Sequence, residues 1–177
     1  ITCGEAPYLV SRYDAVTGEG IYVRERIGLL DRKLRIVNEN TENESDWFKW
    51  AKRAYQSCYG YEYQGDNALL ARINLELTFA ENFESRWHRE ATFHQLREIA
   101  HIISWNIWQM DGLSYTVPYG VPEERCRQTS VFDLFPDGSE KRDDTQPLCR
   151  IMDWRAKRSL TFASLKSTNN IYGYKRA

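Results

Sequence analysis

The chain has 177 residues, of which 42% are hydrophobic and 28% charged, and its formal net charge is -1. This length suits one domain with a continuous core, and near neutrality excludes a protein that binds nucleic acid through a large overall positive charge. No apolar run is long enough to span a bilayer and the four cysteines show no CxxC spacing, so we expect a cytoplasmic protein with no membrane partner.

The first predicted element is a helix over 25–37, where apolar residues recur every three or four positions. Polar residues 38–44 end this helix. A second helix follows, with Ser45 or Asp46 as its N-cap. We expect its buried face to consist of Trp47, Trp50, Ala51 and Ala54.

An aromatic stretch at 57–63 predicts a short buried strand, because tyrosine favours extended structure and the polar residues 64–67 end it abruptly. Asp66 or Asn67 is then predicted to cap a third helix. The apolar spacing in this helix predicts a buried face formed by Leu69, Leu70, Ile73, Leu77 and Ala80.

A fourth helix is predicted over 92–104 and a second strand over 105–110, closed by the turn pair Asp111-Gly112. The resulting order is two helices, a strand, two helices and a second strand. This order is typical of an α/β protein in which helices cover a mainly parallel sheet. We therefore expect the fold class to be α/β.

The last third of the chain differs in composition. Residues 116–147 are polar and contain four of the five prolines, which indicates a long excursion or flap. Residues 149–154 and 160–162 are predicted to pair as a hairpin across a basic turn. That turn contains Arg155, Lys157 and Arg158, for which exposure to solvent is the simpler interpretation and phosphate contact the alternative.

Three loops are candidate ligand-binding positions, because ligands bind beyond the carboxyl ends of the strands of an open parallel sheet. They are the turn at Gly4, the end of the first strand at Glu62 and the end of the second strand at Asp111. A carboxylate at a strand end can accept hydrogen bonds from ribose hydroxyls. Taken singly, Glu62 also fits an ordinary surface carboxylate and Asp111 an ordinary turn residue.

The three histidines give no metal signature. His94 and His101 stand seven residues apart, and neither an i, i+4 histidine pair nor a neighbouring cysteine accompanies them. Solvated or capping roles suit them better, so no metal site is expected.

These ordered features resemble the first three motifs of adenine-specific DNA methyltransferases. They comprise a glycine turn, an acidic strand end followed by a Leu-Ala-Arg-x-Asn-Leu helix, and Asn-Ile-x-x-x-Asp-Gly-Leu. The resemblance covers 1–113 and is strongest to the methylase parts of single-chain restriction-modification proteins. It implies a Rossmann-like sheet that binds S-adenosylmethionine, with helices on both faces.

The resemblance also implies a division of the chain and a set of site residues. A cofactor-binding core would occupy 1–115, a polar insertion or flap 116–148, and a strand or hairpin 149–177. Ala6 takes the place of the second loop glycine. The implied contacts are Thr2, Cys3 and Gly4 at the methionine part, Glu62 at the ribose, Tyr63 on the adenine ring, and Asp111, Gly112 and Leu113 at the adenine amino group.

The fourth motif of that family, an Asp or Asn followed by Pro-Pro and an aromatic residue, is missing, because no Pro-Pro pair occurs in this sequence. The sequence also begins at Ile1 without an initiator Met. We therefore expect an incomplete sheet from a longer enzyme, which would act on double-stranded DNA. The alternative is a non-catalytic nucleic-acid or protein interaction module of a bacterial defence system.

Overall fold

The computed structural model describes residues 2–14, 16–120 and 146–165. A single 3-10 turn at Val23–Glu25 precedes the first α-helix. The helices and strands of the described residues are α1 (Leu29–Asn40), α2 (Glu44–Gln56), β1 (Gly60–Glu62), α3 (Gly65–Trp87), α4 (Phe93–Asn106), β2 (Ile107–Gln109), β3 (Arg150–Asp153) and β4 (Arg158–Thr161). The predicted α/β class is confirmed. No helix among these residues combines the length and the apolar character needed to cross a bilayer.

Three chain segments run parallel at the centre of the fold. Strand β1 pairs with β2, with Gly60 opposite Ile107 and Glu62 opposite Gln109. On the other side of β1, Thr2 forms a parallel bridge with Tyr61. The spatial order is therefore Thr2, β1, β2. We call the side where these segments end the carboxyl edge and the side where they begin the amino edge.

The two faces of this sheet are covered differently. Gly60 and Ile107 face the main core, which the four helices form. Because neighbouring residues of a strand point to opposite faces, Tyr61 and Trp108 face the other way. There they pack with the β3–β4 hairpin, mainly through Phe162. In the part of the chain that the structure describes, this hairpin takes the place of the helices that were expected on the second face.

The face that α3 buries differs from the prediction. Leu69, Leu70, Ile73 and Leu77 are 41–56% exposed. The helix is apolar around most of its circumference, so its spacing is compatible with more than one buried face. The buried face is the one whose alanines are small enough to let α3 lie close to the strands. The phenylalanines of the same face fill the space beyond the strands. That buried face includes Ala68, Ala71, Leu75, Phe79 and Phe83.

Helices α1 and α2 begin at other residues than the predicted start at 25 and the predicted N-cap Ser45 or Asp46. Helix α1 begins at Leu29 because the Asp31 carboxylate accepts a hydrogen bond from Gly28 N (3.1 Å). Helix α2 is capped by Asn43, whose side chain accepts from Asp46 N, and its Trp50 is 46% exposed.

Neither Asp66 nor Asn67 caps α3, which begins at Gly65 after an N-cap residue, Gln64, that makes no side-chain capping bond. Helix α4 starts as predicted, with Thr92 as its N-cap, but it continues to Asn106. The predicted strand over 105–110 therefore begins only at 107.

The hairpin prediction is confirmed by the antiparallel pairing of β3 with β4. The two ends of the predicted flap meet, since Thr116 forms a bridge with Leu148 and Val117 N donates to Pro147 O. The central part of that flap, 121–145, and the tail, 166–177, lie outside the described residues.

One buried side chain joins three elements at the amino edge. Asn106 is 1% exposed, and its amide donates to Tyr55 O and to Cys58 O (both 2.9 Å). Its Oδ1 accepts a hydrogen bond from Trp154 Nε1 (2.7 Å). Asn106 therefore links the end of α2, the approach to β1 and the hairpin, using both of its amide donors and one lone pair of its oxygen.

Replacing Asn106 with alanine should lower the free energy of unfolding by about 3 kcal/mol. The reason is that Tyr55 O, Cys58 O and Trp154 Nε1 would each lose the hydrogen-bond partner that Asn106 provides. Asn82→Ala is the matched control. Asn82 is also buried, but its one hydrogen bond to the described residues goes to Thr78 O within its own helix, so its loss should cost about 1 kcal/mol. Urea unfolding followed by circular dichroism measures both values, and equal losses would contradict the role given to Asn106.

Candidate functional site

The Glu62 carboxylate joins the first loop to the end of β1 at the carboxyl edge. It is 7% exposed and accepts hydrogen bonds from Gly4 N at Oε2 (2.9 Å) and from Tyr63 N at Oε1 (3.0 Å). A longer bond from Gln64 N also reaches Oε1 (3.3 Å). Because a buried carboxylate is costly without such donors, these three N–H groups stabilise its charge.

The first loop adopts the backbone conformation that glycine favours. Gly4 has a φ of +52°, and a Cβ added there would meet no atom within 4 Å. The space beside this Cα is therefore open. Ala6, which takes the place of the second loop glycine, also lies in the left-handed region with a φ of +67°. The loop thus keeps a glycine-type conformation even where alanine occupies it.

A polar network attaches this loop to α3. Asn74 donates to Glu5 O (3.0 Å) and accepts from Arg12 Nη1 (3.2 Å). Glu81, about two turns further along the same face of α3, pairs with Arg12 at 2.5 Å and with Arg26 at 2.6 Å. Partial burial acts to raise the pKa of Glu81, but the two guanidinium groups outweigh it and hold that pKa below its ordinary value.

The side chain of Tyr63 lies at the carboxyl edge and is 45% exposed. Its hydroxyl shares a hydrogen bond with Tyr119, which raises the pKa of Tyr63. Its backbone oxygen accepts a hydrogen bond from Gln109 Nε2 (2.9 Å). Gln109 is not among the site residues that the sequence predicts. Its place opposite Glu62 depends on the register of β1 and β2, which no local sequence pattern indicates.

Asp111 begins the turn that follows β2. Its Oδ1 accepts from Leu113 N (2.8 Å), and this bond is the main cause of a lowered pKa at Asp111. A longer bond from Ser114 N also reaches Oδ1 (3.5 Å), and the Ser114 side chain helps to lower the same pKa. Gly112 lies against the Tyr61 ring, where an added Cβ would stand 3.0 Å from the hydroxyl. Leu113 is 93% exposed.

The structure thus brings Gly4 into direct contact with Glu62, whose carboxylate also accepts from the backbone of the adjacent Tyr63. It places Asp111 after the neighbouring strand at the same edge. Thr2 contributes through its backbone bridge to Tyr61. Thr2 and Cys3 border a hollow of about 440 Å³ on the flank of the sheet, together with Ala6, Tyr8, Leu9, Tyr59 and Gly60.

The Cys3 side chain is buried beside Gly60, where a Cβ added to the glycine would stand 2.8 Å from Cys3 Cβ. Gly60 is therefore needed for the close approach of β1 to the first segment. Burial, and secondly the charge of Glu62, raise the pKa of the Cys3 thiol to about 11. This thiol is therefore mostly protonated at neutral pH, which lowers its reactivity as a nucleophile there.

No protein-family model matches this chain, and comparison with curated proteins and with solved structures also gives no match. Within 2–14, 16–120 and 146–165, no three histidine, cysteine, aspartate or glutamate side chains are grouped so that they could hold a metal ion.

Substituting Glu62 with glutamine should lower the pKa of the Cys3 thiol from about 11 toward its ordinary 9.0, because a neutral side chain no longer opposes the thiolate. Cys149 is the internal control. Burial alone raises its pKa to about 11, so it should not change. The pH dependence of alkylation at each cysteine, read by peptide mass spectrometry, gives both values. An unchanged Cys3, or equal shifts at both cysteines, would contradict the proximity of Glu62 to Cys3.

Proposed function

We propose that this chain forms the S-adenosylmethionine-binding part of an adenine-specific DNA methyltransferase. In the full-length enzyme a methyl group would be transferred to the exocyclic amine of adenine in double-stranded DNA. The contact between Gly4 and Glu62 is the observation that carries this proposal, because it joins two of the three sequence motifs at the carboxyl edge. Ligands of open parallel sheets bind at that edge.

The connectivity of the parallel segments supports the proposal. Helices α1 and α2 connect Thr2 to β1, and α3 and α4 connect β1 to β2. One half of a Rossmann-like sheet would contain parallel strands that lie side by side and are connected in chain order through helices. A Rossmann-like fold with its nucleotide site at Glu62 is therefore the finer architecture that we propose.

The hydrogen-bonding capacity of Glu62 fits one contact to a ribose. A carboxylate offers about four lone-pair positions, and three backbone N–H groups occupy three of them. The remaining position is on Oε2, which can accept from one ribose hydroxyl. A second hydroxyl would have to replace the longest of the present bonds, from Gln64 N.

The other residues at this edge suit the remaining parts of the ligand. The open space beside Gly4 would admit the methionine part, the exposed Tyr63 ring would pack on adenine, and the second carboxylate oxygen of Asp111 would accept from the adenine amine. When bound, S-adenosylmethionine supplies an electrophilic methyl group. These side chains bind and orient that ligand, and because no Pro-Pro motif occurs, the proposal assigns no catalytic residue to this chain.

Calorimetric titration should show that the protein binds S-adenosylhomocysteine, and that it binds adenosine about tenfold more tightly than 2′-deoxyadenosine. One hydrogen bond to a charged acceptor accounts for that ratio. In Glu62→Gln the ratio should fall toward one. Comparing two nucleosides on the same variant separates loss of the ribose contact from general destabilisation.

Glu5→Gln is the control for this experiment, because Glu5 is a carboxylate on the same loop that bonds to Tyr13 instead of facing the ribose position. It should keep the preference for adenosine. If wild type binds both nucleosides equally, or does not bind S-adenosylhomocysteine, the proposal is wrong.

A further inference from the structure

A groove runs between α2, α4 and the turn that joins β3 to β4. It consists of two adjoining hollows of about 530 and 550 Å³, which share Gln56 and Trp154. The first hollow also includes Lys52 and Arg97, and the second includes Arg53. We refer to the two hollows together as the hairpin groove.

The hairpin groove lies at the amino edge of the sheet. Trp154, which lines both hollows, donates to Asn106 Oδ1 (2.7 Å). Asn106 immediately precedes β2, and its amide donates to Cys58 O, two residues before β1. The carboxylates of Glu62 and Asp111 lie at the opposite, carboxyl edge. Tyr59 borders both the second hollow and the flank hollow beside Thr2 and Cys3, but none of the residues assigned to the cofactor lines the hairpin groove. The hairpin groove is therefore proposed on residues separate from that assignment.

The charge of the hairpin groove is opposite in sign to that of the whole chain. The groove contains four cations, two in each hollow, and two acids. With neutral histidines its formal charge is therefore +2, whereas the whole chain carries -1. The cations are Lys52, Arg53, Arg97 and Arg155, and the acids are Glu98 and Asp153.

Both acids already have partners, whereas two of the cations do not. Glu98 pairs with Lys52 at 2.6 Å, and Asp153 Oδ1 accepts from the backbone N–H groups of Arg155 (3.0 Å) and Ala156 (2.9 Å). The guanidinium groups of Arg97 and Arg155 make no hydrogen bond or ion pair with any described residue. One such group is thus available in each hollow to bind an anion.

Aromatic rings lie between these cations. The indole of Trp154 is held by its bond to Asn106 and meets the His101 ring edge to face, with ring centres 6.0 Å apart. Tyr59 lines the second hollow and is 41% exposed, and its hydroxyl is bonded to Met152 O. Trp154 lines both hollows, so one indole lies where the two pairs of cations meet. Cations beside aromatic rings in one groove suit the phosphates and bases of a nucleic-acid strand.

We propose that the hairpin groove binds a single strand of nucleic acid, with backbone phosphates at Arg97 and Arg155 and a base against Trp154. A duplex suits the groove less well, because its bases are stacked on one another and cannot reach a recessed indole. A mononucleotide would occupy only one of the two cationic hollows.

Fluorescence anisotropy with a labelled ten-residue thymidine oligonucleotide tests the proposal. The oligonucleotide should bind, and its affinity should fall as salt rises, because contacts to phosphates release counterions. The double substitution R97Q and R155Q should weaken binding about tenfold and reduce the slope of log K against log salt by about 1.4. R32Q with K49Q is the control, since both residues are exposed and line neither hollow. This pair should change affinity less than twofold.

Two further measurements locate the strand and define its class. A thymidine duplex with its complement and thymidine monophosphate should each compete at least tenfold less well than the single strand. Photocrosslinking of a 4-thiothymidine oligonucleotide should label peptides that contain Tyr59 or Trp154. The proposal is overturned if the control pair weakens binding as much as R97Q with R155Q, if the duplex or the mononucleotide binds equally well, or if crosslinks map elsewhere.

Discussion

The parallel pairing of Thr2, β1 and β2 is the constraint on which the fold depends, and it is short, since β1 and β2 have three residues each. So short a sheet provides few backbone hydrogen bonds, and buried polar side chains supply additional ones at both edges. Glu62 binds three N–H groups at the carboxyl edge. Asn106 binds two carbonyl groups and an indole at the amino edge.

These two side chains also give the edges opposite chemical character. The carboxyl edge presents the carboxylates of Glu62 and Asp111 beside an open glycine loop, an arrangement suited to the hydroxyl and amine donors of a nucleoside. The amino edge presents guanidinium groups and aromatic rings, which suit phosphates and bases. The net charge of -1 does not reveal this separation, because it sums charges over the whole chain without regard to their position.

Part of the candidate site could be predicted from sequence and part could not. The positions of Gly4, Glu62 and Asp111 at ends of parallel segments follow from local patterns, and the contact of Gly4 with Glu62 agrees with them. The exposed Leu113 and the buried Cys3 were placed by resemblance alone, which does not indicate exposure. Gln109 was not identified, because its contact with Tyr63 depends on strand register, which no local pattern specifies.

The sequence by itself determined the elements whose signals are local: α2, α4 and the β3–β4 hairpin follow from apolar spacing and turns within a few residues. Only the tertiary structure decided which face of α3 is buried, where α4 gives way to β2, and that Trp154 and Arg97 line one groove. Periodicity shows which residues share a face, but the partner that covers a face is distant in sequence. The side chains that depend on such partners, Asn106 above all, could therefore be recognised only in the folded chain.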